Sequence, residues 1–158
     1  MVLGLLPCSH RATSRKGCGA VSVADQRGTP EMASAELLRY LVEAPLFPPA
    51  LLPRDGVSWT ALDDTRARVT LTDRETTVSC DVSFGEHGEI TGASAMRHRD
   101  DRGRLILTPW VGRWTDYRRV GGMMIPMSGD VGWVLPDGMF TYWRGRIVDA
   151  RHEFATAV

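Results

Sequence analysis

Pro109–Ile147 reads PWVGRWTDYRRVGGMMIPMSGDVGWVLPDGMFTYWRGRI and holds four of the five tryptophans of the chain. Two turn signals, Gly121-Gly122 and Pro136-Asp137-Gly138, divide it into three aromatic, β-rich runs. This is the pattern of one face of a curved antiparallel sheet that fills a wide concave space with large side chains. No catalytic signature competes with it elsewhere. The sequence therefore speaks for an architecture and a cavity before it speaks for a reaction.

Upstream, the same period continues. Trp59–Leu62 is a short strand signal, and Arg66–Thr72 alternates with Ala67, Val69 and Leu71 on one face. Thr76–Phe84 sends Val78, Cys80, Val82 and Phe84 to one side and Thr77, Ser79, Asp81 and Ser83 to the other. Gly85–Gly88 forms a hairpin loop. Glu89–His98 then returns through Ile90, Gly92, Ala93 and Ala95, which are small enough to require something large against them. Asp100–Gly103 is a polar turn. Leu105–Leu107, Gly112–Val120, Met123–Leu135 and Met139–Phe154 complete a meander. Pro126 and Gly129 suggest an edge position or a bulge within one of these runs. The expected fold is mainly β (α+β): a curved antiparallel sheet or half-barrel of about six to eight strands with one N-terminal helix packed on it.

The helix is expected over Ser34–Glu43. Ser34 is a candidate N-cap, and Leu37, Leu38, Leu41 and Val42 form one apolar stripe. Pro45 stops it, because a residue before proline is driven from the α region. Glu43 opposes the helix dipole and calls for a partner such as an arginine. Phe47–Pro53, apolar and stiffened by proline, reads as a clasp over the sheet. Residues 1–31 carry no apolar period and read as a disordered or loosely packed extension, which leaves 32–158 as a single β half-barrel domain.

Composition narrows the function classes. Lys plus Arg equals Asp plus Glu at 19 each, so no global field recruits nucleic acid or an acidic membrane. No apolar run reaches the ~20 residues of a membrane span. Leu3–Leu6 is too short for a signal-peptide core, so a cytoplasmic placement is expected. The odd number of cysteines argues against a disulfide framework, and Cys80 reads as a small buried hydrophobe. Cys8, His10 and Cys18 match no closed zinc spacing, and neither metal nor cofactor is expected.

The order of aromatic and proline signals resembles a bacterial family of unknown function common in actinomycetes. The residues that carry the likeness are Arg39–Ala44, Phe47-Pro48, Leu51-Leu52-Pro53, Trp59 and Asp63-Asp64. It continues through Trp110, Asp116-Tyr117, Gly122, Ile125-Pro126, Trp133, Pro136-Asp137-Gly138 and Tyr142-Trp143-Arg144-Gly145. That family is distantly similar to the lipoprotein-sorting half-barrels, in which a curved sheet wraps an apolar cavity plugged by helices. The resemblance implies a fold and an apolar ligand, not an activity. Typical members are longer, with a further segment before the helix.

Two constellations carry candidate chemistry. Trp110, Trp114, Trp133, Tyr142 and Trp143, with Met123, Met124, Met127 and Met139, either line an adaptable apolar pocket or form a packed core. Asp116 and Tyr117, among Arg113, Arg118 and Arg119, offer an acid and a phenol for general base work. Asp116 is equally well read as half of an ion pair. Alternation places Trp114 and Asp116 on one face and separates Tyr142 from Trp143. Arg97-His98-Arg99 reads as a solvated strand end, His87 as a loop tip, and His152 as a residue without an obvious partner.

The expected function is non-catalytic binding of a hydrophobic, lipid-like small molecule. Its site would comprise Trp110, Trp114, Asp116, Met124, Trp133, Tyr142 and Trp143. The alternatives are a small isomerase or cyclase that uses Asp116 and Tyr117 as catalytic residues in the same cavity, or a homodimeric accessory protein that buries the aromatic face.

Overall fold

The computed structural model of the chain describes residues 29–153. The Cys8, His10 and Cys18 reading, and nearly all of the proposed extension, lie outside those residues. Helix α1 spans Pro30–Glu43 and starts earlier than expected. Thr29, not Ser34, is the N-cap: its hydroxyl accepts the Met32 N–H at 3.2 Å. Pro30 occupies the first turn, where its missing N–H has no helical acceptor, and Glu31 complements the dipole there. At the other end Arg39 donates to Glu43 at 2.9 Å, the partner that Glu43 called for. The stripe buries Leu38, Leu41 and Val42, which contributes roughly 1.5–3 kcal/mol for each fully buried leucine.

Seven strands follow: β1 (Val57–Ala61), β2 (Arg66–Asp73), β3 (Thr76–Phe84), β4 (Ile90–Asp101), β5 (Arg104–Val120), β6 (Met123–Leu135) and β7 (Gly138–Arg146). They form one open antiparallel sheet in sequence order, with β1 and β7 at its edges. Among the described residues the fold is mainly β with a single packed α-helix, as the periodicity predicted. Several boundaries differ. Asp100 and Asp101 belong to β4, and Leu105–Leu107 and Gly112–Val120 are parts of one 17-residue strand that runs through Pro109. Pro109 is tolerated because β6 pairs with β5 only from Trp110 onward. β7 ends at Arg146, so the run expected to continue to Phe154 is shorter.

Pro126 lies in β6, an interior strand, and is buried. Pairing of β6 with β7 begins only at Ser128, so Pro126 has a strand on one side alone. That is the edge condition its missing donor needs.

The two faces of the sheet divide cleanly over β2 and β3. Val69, Leu71, Val78, Cys80 and Val82 point to the core. The opposite face is a polar ladder of cross-strand pairs: Arg68 with Asp81, Thr70 with Ser79 at 2.9 Å, and Thr72 with Thr77 at 3.0 Å. Helix α1 lies chiefly over β3 and reaches β2 and β4. Two 3-10 turns, Ala44–Leu46 and Pro48–Leu51, then cross to β6, where Ile125 and Met127 are buried. The clasp is tied down at both ends. Trp59 donates its indole N–H to the Leu51 carbonyl at 2.8 Å. His152, which the sequence left without a partner, sits 3.0 Å from the Leu46 carbonyl through Nε2 and beside the Phe47 ring.

Helix and clasp together cover the core face over β2–β4 and the first half of β6. They leave the other end of that face, at the β4–β5 and β6–β7 hairpins, less covered. Core-face positions along β6 pass from buried Ile125 and Met127 to half-buried Val131, Trp133 and Leu135.

Candidate functional site

Tyr142 is where the sheet departs from simple alternation. Val131 pairs with Trp143 and Gly132 with Thr141, which leaves Tyr142 as the extra residue of a β-bulge. Instead of being separated, Tyr142 and Trp143 both reach the core face. Phe140, paired with Trp133, joins them there. Tyr142 stacks on Trp133 with ring centroids 5.7 Å apart and planes 25° apart. Its hydroxyl accepts the indole N–H of Trp110 at 2.9 Å.

Glycines make room for the indoles. A Cβ on Gly112 would lie 2.9 Å from Cη2 of both Trp110 and Trp114, so only glycine lets the two rings meet above that position. Gly129, paired with Trp114, would carry its Cβ 3.6 Å from the Trp114 ring. Ala95, the small residue for which something large was expected, lies opposite Trp110.

Burial sorts the predicted ligand residues. Trp110 is 1% exposed and belongs to the core, and Trp114 and Trp133 pack against that core. Phe140, Tyr142 and Trp143 are 56%, 45% and 44% exposed and line edge strand β7. Met124 is 45% exposed and alternates with Ile125 onto the opposite face, away from Trp133.

Asp116 does not share an apolar face with Trp114. Its φ of +56° is left-handed, which breaks the alternation and turns the carboxylate to solvent. There Arg118 holds it through two contacts of 3.2 and 3.1 Å. Tyr117 is half-buried and donates its hydroxyl to the Ile90 carbonyl. Desolvation, with a smaller effect from Glu89, raises the Tyr117 pKa well above that of a free phenol. The two residues thus make separate local contacts and do not converge on a common point.

Two residues that the sequence reading set aside fall on the core face. Ala93, Ala95, Arg97 and Arg99 share one side of β4 by alternation. The Arg97 guanidinium lies 5.1 Å from the centroid of Trp110, over its ring. Extending the Ala93–Ala95 register by four residues was the signal that would have found them. His98, between them, lies inside β4 and is exposed because it faces the opposite side of the sheet.

Among the described residues no group of His, Cys, Asp or Glu has the geometry to hold a metal, and no helix is long and apolar enough to cross a membrane. Cys80 is buried, and desolvation followed by the Asp81 charge pushes its thiol up to about 12. No curated protein and no solved structure matches the chain. The family comparison is positive over residues 13–152, a span that includes part of the segment ahead of α1, and by that match the chain belongs to a family of unknown function (DUF6920).

Proposed function

We propose that this protein binds a hydrophobic small molecule, without catalysis, at the uncovered end of its sheet. The observation that carries the reading is the row of half-exposed Phe140, Tyr142 and Trp143 on β7, contiguous with Trp133 and with buried Trp110. Aromatic surface held rigid by a core and left open to solvent suits an apolar ligand that completes the burial. The site is an open platform at the sheet edge. Its anchors are Trp133, Tyr142 and Trp143, with Phe140 added, with Met124 and Asp116 removed, and with Trp110 and Trp114 packed in and against the core as its base. The isomerase or cyclase alternative draws no support from Asp116 and Tyr117, whose polar atoms are engaged in separate contacts.

Titration with a fluorescent fatty-acid probe tests the proposal. Wild type should bind at micromolar levels. Trp143→Ala should weaken binding several-fold while shifting the melting temperature little, because the ring is nearly half exposed and lies at an edge. Absence of probe binding by the wild type would overturn the reading. Self-association of the wild type that Trp143→Ala abolishes would replace it with the homodimer.

A further inference from the structure

On the premise of that apolar platform, we infer that the ligand is an anionic amphiphile, a long-chain carboxylate, whose head is held by Arg97. The Arg97 guanidinium lies over the Trp110 ring, on the same face as Trp133 and Tyr142. It has no ion pair among the described residues. The cations near it are only partly compensated. Arg99 and Asp101 share its face by alternation, and Arg104 joins them as the cross-strand partner of Asp101. Of these, Arg99 approaches Asp101 at 3.7 Å, and the buried Nε of Arg99 has no hydrogen-bond partner. Three guanidinium groups thus face one carboxylate.

Stacking on an indole fixes a guanidinium and leaves its donor edge free for a two-oxygen acceptor. A carboxylate supplies those two oxygens and the single charge that Arg97 lacks. The apolar part of such a ligand has a direction to follow. From Arg97 on β4 it passes over β5, where Trp110 is buried beneath, to the part-exposed rings of Trp133 on β6 and of Phe140 and Tyr142 on β7. Three strand spacings are about 14 Å, the reach of a long acyl chain.

Calorimetric titration of the full chain with laurate, dodecanol and dodecyl phosphate tests this inference. Laurate should bind about tenfold more tightly than dodecanol, as a charge-assisted hydrogen bond implies. Arg97→Gln should abolish that preference while leaving dodecanol affinity within about twofold. Arg74→Gln, at the exposed turn between β2 and β3, should preserve it. Should Arg97→Gln not fold, Arg97→Lys keeps the charge and loses the fork, and it should lower the preference for laurate. Equal binding of laurate and dodecanol by the wild type would overturn the headgroup site and leave the apolar platform standing. So would an equal loss in Arg97→Gln and Arg74→Gln, which would mark a diffuse field. Dodecyl phosphate binding tenfold more tightly than laurate would overturn the carboxylate assignment. Failure of all three ligands to bind would overturn the platform and this inference together.

Discussion

The indole N–H of Trp110 donates to the hydroxyl of Tyr142 at 2.9 Å, across 32 residues of sequence and from β5 to β7. The bond spans β6 and joins a wholly buried ring to a half-exposed one. It exists because the bulge at Val131/Gly132 turns Tyr142 onto the core face.

Tyr142→Phe keeps the stack on Trp133 but leaves the buried Trp110 N–H without its acceptor. A cost of about 1–2 kcal/mol is expected. In Trp110→Phe the Tyr142 hydroxyl can turn to water, so a double-mutant cycle should show positive coupling between the two. Urea unfolding followed by fluorescence measures it. Strict additivity would mean that the bond contributes nothing.

What was legible in the sequence followed periodicity. The stripe Leu38, Leu41, Val42 and the alternation Val78, Cys80, Val82 each named a buried face, and the structure buries both. Ala95 announced a large neighbour and has Trp110 opposite. What was not legible depends on breaks in that period. A bulge shifts every later side chain by one face, so Tyr142 and Trp143 could not be placed by counting. The left-handed backbone at Asp116 did the same to the proposed acid. Arginine at 97 and 99 hid a continuing core-face register under a polar composition. Leu105–Leu107 and Gly112–Val120 read as two runs although one strand joins them through Pro109, since the sequence does not reveal where β6 begins to pair.

The polar ladder should respond to acid. Asp81 is held below the usual carboxylate range, first by its hydrogen bonds with Arg68 at 2.6 and 3.0 Å. A depressed folded pKa gives stability that is fully present above the unfolded value of about 3.9 and lost as pH falls through the folded one. Melting temperature should therefore decline on acidification below about pH 4. Asp81→Asn should flatten that decline and make little difference in high salt, where surface pairs are screened. An unchanged acid limb would show that the pair does not contribute.

Cys80 should be unreactive in the folded protein. Its thiol is buried, and desolvation pushes it up to about 12, so the thiolate fraction at neutral pH is negligible. Alkylation with iodoacetamide, read by peptide mass mapping, should modify Cys80 only in denaturant. Labelling under native conditions at a rate matching a free thiol would show that β3 opens readily.

Gly112→Ala tests the packing on which the platform rests. A Cβ there would lie 2.9 Å from the Cη2 atoms of both Trp110 and Trp114. Real Cβ atoms do not sit that close, so one ring must move. Trp110 cannot move alone, because Tyr142 holds its N–H and Ala95 lies opposite on β4. Trp114 is half-buried and stands next to the gap left by Gly129, so it is the ring expected to yield. Overpacking of this kind costs typically 1–3 kcal/mol. The near-ultraviolet dichroism of the tryptophans should change while the far-ultraviolet β signal persists. Probe affinity should fall less than in Trp143→Ala, since Trp143 lies on β7 and not over Gly112. A Gly112→Ala protein with wild-type stability and an unchanged tryptophan spectrum would mean that the indoles do not meet above this position, and the rigid base of the platform would be lost with that contact.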